Sequence, residues 1–131
     1  MFPRFLALVF LMTVTAGCGV KSVPGGTTGQ LFADGVPLSE IQVTVHTVDQ
    51  GSAQPIGFGV TATDGSFDLV TNRAQGPLWL SSGEYRCTLE SVGAPVRLPK
   101  EYLHADTTPL KVTWSSDGDL DLQIPPVPPL R

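Results

Sequence analysis

The sequence predicts an all-β protein whose folded part is a single Greek-key β-sandwich of about seven strands. Short segments alternate apolar and polar residues, which is the period of a half-buried strand. The chain is rich in turn residues, with 14 Gly and 12 Pro among 131 residues. No stretch after the N-terminal leader keeps a helical period over the length of a helix. The chain is long enough for one modest core.

The N-terminal residues have the layout of a secretory leader. Arg4 gives a cationic start, and residues 5–16 form an almost purely apolar run. This run is too short for a spanning helix, which needs about 20 apolar residues. Residues 15–18 (TAGC) resemble the lipobox of bacterial lipoproteins, in which the cysteine is acylated and becomes the new N-terminus. We therefore predict a lipoprotein signal peptide over residues 1–17.

The resemblance implies that Cys18 is the lipidation site and that the protein is anchored to a membrane of the cell envelope. Each buried methylene contributes about 0.8 kcal/mol, so two or three acyl chains anchor firmly where one does not. Gly19 in place of Asp implies, by analogy, the outer membrane, with the domain on its periplasmic or surface face. Thr15 stands where Leu is usual, which leaves open ordinary cleavage near Ala16 and a secreted product. Residues 18–27 are predicted to be the lipidated cysteine and a flexible tether.

The β-sandwich is predicted over residues 28–124. Asp34-Gly35 and Asp64-Gly65 are typical turn dipeptides, and the second should join two strands as a hairpin. Residues 49–55 are predicted as a loop, and residues 92–109 as a long connection because prolines interrupt them. The last two strands should form a closing hairpin, followed by a Pro-rich disordered tail at residues 125–131. The predicted strands are residues 28–33, 41–48, 56–62, 66–70, 84–91, 110–114 and 120–124.

Alternation assigns one apolar face of each strand to the core. Side chains predicted to point inward would supply about 1.5–3 kcal/mol each when fully buried. They are Leu31, Val43, Val45, Phe58, Val60, Phe67, Leu69, Tyr85, Cys87, Leu89, Leu110, Val112, Trp114, Leu120 and Leu122.

Several segments, taken in order, resemble the carboxypeptidase-regulatory-like domain of small planctomycete lipoproteins. Residues 29–38 resemble its G-x-V-x-x-x-G-x-P-L motif, residues 61–69 resemble T-D-x-D-G-x-F-x-L, and residues 82–89 resemble P-G-x-Y-x-V-x-V. Residues 98–102 and 107–113 resemble its late I-P-x-x-Y and T-x-L-x-V-x-V segments. The sequence departs at Ala62, Ser82 and Cys87, where the family usually has Asp, Pro and Val. The resemblance implies a transthyretin-like (prealbumin-like) sandwich that is not an enzyme.

Candidate chemical groups are scattered along the sequence. His46 and His104 do not form a metal-ligand pair at a useful local spacing, so we predict no metal site and no cofactor. Asp117, Asp119 and Asp121 lack the downstream Glu of a calcium loop and are interpreted as a charged turn. Neither the serines before Gly83 nor the pair Glu84 and Glu101 has a catalytic frame, so no catalytic residue is predicted. The remaining cysteine, Cys87, is predicted to be a buried, inert thiol.

Composition and the two tryptophans shape the functional hypotheses. Without Arg4 in the leader, 12 acids face 7 bases that form no basic stripe, which excludes nucleic acid as a partner. The leading hypothesis is a non-enzymatic envelope lipoprotein with a structural or adhesive sandwich, bound to the membrane through Cys18 and acting beside an envelope protein or polysaccharide. The alternative is a carbohydrate- or peptide-binding module that uses Trp79 or Trp114, because an exposed indole stacks on sugars. The sequence leaves the oligomeric state open.

Overall fold

The computed structural model describes residues 26–115 and 118–129. The predicted leader, Cys18 and most of the predicted tether lie outside these residues. The described part is all-β, as the sequence predicts, with its strands in two sheets that pack around one core.

The first sheet is built around β1 (Thr28–Ala33). Two short strands, β2 (Val36–Pro37) and β5 (Ser66–Asp68), pair antiparallel with different parts of β1. The last strand, β9 (Leu120–Ile124), pairs with β1 in parallel, from Gly29 opposite Leu120 to Ala33 opposite Ile124.

The second sheet has five strands that all pair antiparallel with their neighbours. They are β3 (Ile41–Asp49), β4 (Ser52–Val60), β6 (Val70–Thr71), β7 (Gly83–Ser91) and β8 (Lys111–Trp114). Their order across the sheet is β6, β4, β3, β7, β8.

Of the two hairpins predicted after β4, the closing one is wrong, and the Asp64-Gly65 one forms only in part, because Val70 alone of residues 66–70 pairs with β4. The Asp64-Gly65 turn forms, but it leads from β4 in the second sheet to β5 in the first. The predicted strand at residues 66–70 is then interrupted at buried Leu69, beyond which β6 returns to pair with β4. The predicted closing hairpin is absent, since β8 pairs with β7 and β9 with β1. Turn residues indicate where the chain reverses, but they do not determine which sheet the next strand joins.

The predicted loop at residues 49–55 is instead a tight hairpin turn. Gln50 and Gly51 both have positive φ, 50° and 80°, and the β3–β4 ladder runs on to Asp49 opposite Ser52. Two positive φ values are typical of a type I′ turn, whose twist matches that of the strands. The ladder is irregular only between Val45 and His46, where Ile56 is the extra residue of a β-bulge on β4.

The predicted inward face of β4 is wrong at two positions. Val60 is exposed and Phe58 is only half-buried, whereas the neighbouring Gly57 and Gly59 are buried. The pairing explains this result, because Gly57 and Gly59 lie opposite inward-facing Val45 and Val43. Residues directly opposite each other in a ladder share a face.

The other predicted core positions lie inside the domain. Val112 and Trp114 are partly buried against the core, and the remaining predicted positions are buried. The structure adds core residues outside this set: Ala33, Ile41 and Ile124 at strand ends, where they continue the alternation of the predicted faces, and Leu38, Leu80, Ala94 and Tyr102 in turns and connections.

The long connection after β7 is ordered by local contacts. It contains a short 3-10 helix, Lys100–Leu103, whose Tyr102 side chain is buried. Thr108, 1% exposed, donates its hydroxyl to Cys87 O at 2.7 Å, so the chain runs beside β7 before β8 begins. In the predicted tail, Val127 packs against the core, and Arg97 N–H donates to Pro128 O at 2.9 Å.

Candidate functional site

The two ends of the sandwich differ in what they expose. We call the end where the described chain starts the proximal end; it comprises Gly26–Thr28, residues 79–83, the β3–β4 turn and Trp114. Its position follows from the register, which places Thr47 opposite Tyr85 and Gly83 opposite Trp114. The opposite, distal end holds the turn at Asp34-Gly35 and residues 91–93.

Trp79 lies at the proximal end on a segment fixed by hydrogen bonds to Thr27. Thr27 N–H donates to Leu78 O at 2.8 Å, and Leu80 N–H donates to the Thr27 hydroxyl oxygen at 2.9 Å. Leu78 and Leu80 pack toward the core on either side of it. The indole between them is 69% exposed, the largest exposure among the large hydrophobic side chains of the described residues. A rigid backbone thus presents an apolar ring to solvent.

Trp114 is placed differently from Trp79. It ends β8 opposite Gly83 and is partly buried against the core. Its indole N–H is buried and has no hydrogen-bond partner among the described residues. The face of its ring is therefore largely used in packing. Of the two tryptophans predicted as ligand-binding candidates, Trp79 is the one with a freely accessible ring.

The outer face of the second sheet has an open groove near the proximal end. The groove has a volume of about 200 Å³ and lies over β3, β7 and β8. Val48 supplies an apolar wall, and Glu84, Arg86 and Lys111 supply charge of both signs. Arg86 and Lys111 are cross-strand partners, and an Arg86 guanidinium N–H donates to Ala105 O at 3.2 Å. This groove is not predictable from the sequence, because only the strand register brings these residues together.

The two histidines lie on different elements, His46 on β3 and His104 in the connection after β7. His46 lies on the outer face of β3, and its Nε2 is 3.0 Å from the Thr88 hydroxyl oxygen. Partial burial lowers the pKa of His46 below its ordinary value of 6.5. His104 is exposed in the long connection. Within residues 26–115 and 118–129, no group of three His, Cys, Asp or Glu side chains could hold a metal ion.

Cys87 is a buried thiol, as predicted. It is 0% exposed, and burial raises its pKa to about 12. A thiolate is the nucleophilic form, so this sulfur is held in its unreactive state at neutral pH. Its place on the inner face of β7 makes it part of the core.

The other candidates have local structural contacts. Asp119 accepts a hydrogen bond from the Thr28 hydroxyl, and Asp121 accepts one from Gln123 Nε2 at 2.8 Å. Asp117, the third member of the acidic run, lies outside the described residues. Ser81 offers its backbone carbonyl to the Tyr85 hydroxyl at 2.6 Å, which fixes the start of β7.

In comparisons with known proteins, no family model, no curated protein and no solved structure matches the chain. Among the residues that the structure describes, no helix has the length and apolar character needed to cross a membrane.

Proposed function

We propose that the protein is a non-enzymatic lipoprotein of the cell envelope whose β-sandwich has a structural or adhesive role. The observation that carries the proposal is the lipobox-like sequence TAGC at residues 15–18, which directly follows an apolar leader. The first strand begins soon afterwards, at Thr28, so only a short stretch of chain separates Cys18 from the domain. Acylation of Cys18 would hold the domain close to the bilayer, with the outer membrane as the proposed location.

A non-enzymatic role is supported by what the reactive side chains do in the fold. The Cys87 thiol is buried in the core, and the Thr88 residue, whose hydroxyl contacts the His46 imidazole, is itself buried. Thr108 and Tyr85 direct their hydroxyls to backbone carbonyls. These contacts serve folding.

We further propose that the domain has the Greek-key, transthyretin-like topology of the carboxypeptidase-regulatory-like family. The repeated passage of the chain between sheets, at Leu69 and again between β8 and β9, supports this topology. The motif resemblances also fit the elements, because Asp34-Gly35 joins β1 to β2 and residues 83–89 lie in β7.

The two cysteines provide a direct test of the anchor. We expect intact-mass measurement of the full chain, expressed in a Gram-negative host, to show an N-terminal acylated Cys18. Cys18→Ala should move the protein from the membrane to the soluble fraction. The matched variant Cys87→Ala should stay membrane-bound, because Cys87 lies in the core. An unmodified N-terminus that begins elsewhere would refute the lipoprotein proposal.

The second candidate function is a carbohydrate- or peptide-binding module. The exposed ring of Trp79 and the mixed-charge groove favour it, since sugars stack on indoles and peptides offer both charges. Titration with envelope polysaccharide fragments should then change the Trp79 emission, and Trp79→Ala should abolish binding. For the groove, Arg86→Gln should weaken binding of a peptide. Emission that stays constant at saturating saccharide, and peptide binding that Arg86→Gln does not weaken, would count against this candidate.

A further inference from the structure

We propose that Trp79 inserts into the headgroup region of the bilayer and fixes which end of the sandwich faces the membrane. The inference rests on the proposed acylation of Cys18 and adds a second, side-chain contact with the same membrane. The partner it names is a lipid surface.

Trp79 lies close to the point where the predicted tether enters the domain. The described chain begins at Gly26, whose N–H donates to Leu69 O at 3.2 Å. Thr27 is hydrogen-bonded on both sides of Trp79, to Leu78 O and Leu80 N–H. The exposed indole is therefore mounted where the chain from Cys18 joins the domain.

Few residues connect Cys18 to the domain, which limits how far the domain can lie from the membrane. Residues 19–26 span at most about 29 Å when fully extended. A domain of about 100 residues is itself roughly 30 Å across. Contact between the distal end and the membrane would need the whole connection stretched to its limit. An acylated Cys18 therefore favours a proximal end that faces the bilayer.

The exposed apolar side chains at the proximal end are suited to a membrane interface. Tryptophan is enriched at membrane–water interfaces, because its ring is apolar and its N–H stays hydrated. Val48, 37% exposed near the end of β3, adds a second apolar side chain at the proximal end. An indole presented by a fixed backbone loses little conformational entropy when it enters the headgroup layer. The position of the indole beside the predicted tether, together with its interfacial chemistry, favours a lipid surface over a sugar site.

Quenching by brominated lipid tests the contact. The acylated full chain is reconstituted in vesicles of phosphatidylethanolamine and phosphatidylglycerol, with and without phosphatidylcholine brominated near the headgroup. We expect brominated lipid to reduce wild-type emission, and vesicles to shift that emission to the blue and shield it from acrylamide. Trp79→Phe should lose all three effects, leaving the emission of Trp114.

A second variant places an indole at the other end as a matched control. Val36, 61% exposed in the distal turn region, is changed to Trp in the Trp79→Phe background. Its emission should stay accessible to acrylamide and unaffected by brominated lipid. Quenching of this distal indole as strong as that of Trp79 would overturn the proposed orientation.

The outcomes separate this inference from the proposed anchor. Acylated Cys18 with an unquenched, acrylamide-accessible Trp79 would overturn the Trp79 contact and leave the lipoprotein proposal standing. A chain that mass measurement shows to be unacylated would overturn both. Trp79 emission that responds to saccharide but not to vesicles would replace the lipid contact with a sugar site.

Discussion

At the scale of single residues, glycines make room for large side chains in this core. A Cβ on Gly29 would lie 2.2 Å from Phe67 Cζ, and a Cβ on Gly57 would lie 2.4 Å from Leu78 Cδ2. Phe67 thus packs its ring directly on the β1 backbone. The absence of a side chain on the glycine is what allows the close approach between neighbouring strands.

Gly29→Ala should therefore destabilise the domain by about 1–3 kcal/mol, because the added methyl group overlaps a buried ring. The free energy of unfolding from guanidinium titration measures the effect. Gly83→Ala is the matched control, since a Cβ there meets nothing within 4 Å, and we expect a change within about 0.5 kcal/mol. Phe67→Leu should recover part of the loss in the Gly29→Ala background. Equal stability of both alanine variants would contradict the packing argument.

His46 gives the fold a predictable response to pH. Burial lowers its pKa in the folded state below the ordinary 6.5, so the unfolded chain binds a proton at a higher pH than the folded domain does. Stability should then fall as pH drops from about 7 through the ordinary value, until the folded imidazole is protonated too. The imidazole faces Thr88 and the cross-strand residues Arg86 and Pro55.

Urea midpoints over a pH series from about 8 to about 5 measure this dependence. His46→Gln should flatten the curve in that window. A curve that His46→Gln does not flatten would show that partial burial of this ring has no effect on stability.

At the scale of elements, the β3–β4 turn is the tightest connection in the second sheet. Gly51, with φ of 80°, lies in the region that costs an L side chain about 1–2 kcal/mol. Gly51→Ala should lower stability by this amount, whereas Gln50→Asn should raise it by a few tenths of a kcal/mol, since Asn tolerates positive φ. Thermal or denaturant unfolding measures both. Gly76→Ala, where a Cβ meets nothing within 4 Å, is the control, and a similar loss there would refute the turn argument.

Strand positions were predictable from sequence because alternation is a local property. Residues 28–33 and 120–124 match β1 and β9 at both ends, and Cys87 was placed correctly among buried neighbours. Pairing was not predictable, because nothing near Asp64-Gly65 indicates that β5 leaves the sheet of β4. The predicted inward face of residues 57–60 was wrong for a related reason. The extra residue Ile56 shifts the alternation along β4, and this shift is visible only in the pairing with β3.

The candidate site was predictable only as residue types. Tryptophan chemistry singled out Trp79 and Trp114, but their exposure depends on what packs against them. Trp79 lies between two core-facing leucines, whereas Trp114 closes the end of a strand against the core. The groove over β3, β7 and β8 is lined by residues that are far apart in sequence, so it cannot be predicted without the strand register.

At the scale of the whole molecule, the segments outside the strands close the distal side of the core. The Pro-rich residues 125–129 follow β9 and run against the connection after β7, with a bridge between Val96 and Pro129. Val96, Leu98 and Val127 are partly buried against the same core. Two irregular segments thus cover apolar surface that neither sheet covers.

Truncation after Ile124 should therefore destabilise the domain by about 1–3 kcal/mol, because it exposes this apolar surface and leaves Arg97 N–H without its Pro128 acceptor. Truncation after Pro129 keeps the contacts of Val127 and Pro128 and serves as the control. Urea titration measures the free energies, and hydrogen exchange at Arg97 should accelerate only in the shorter chain. Unchanged exchange and stability after the shorter truncation would mean that these segments touch the core without stabilising it, and that the two sheets alone account for the fold.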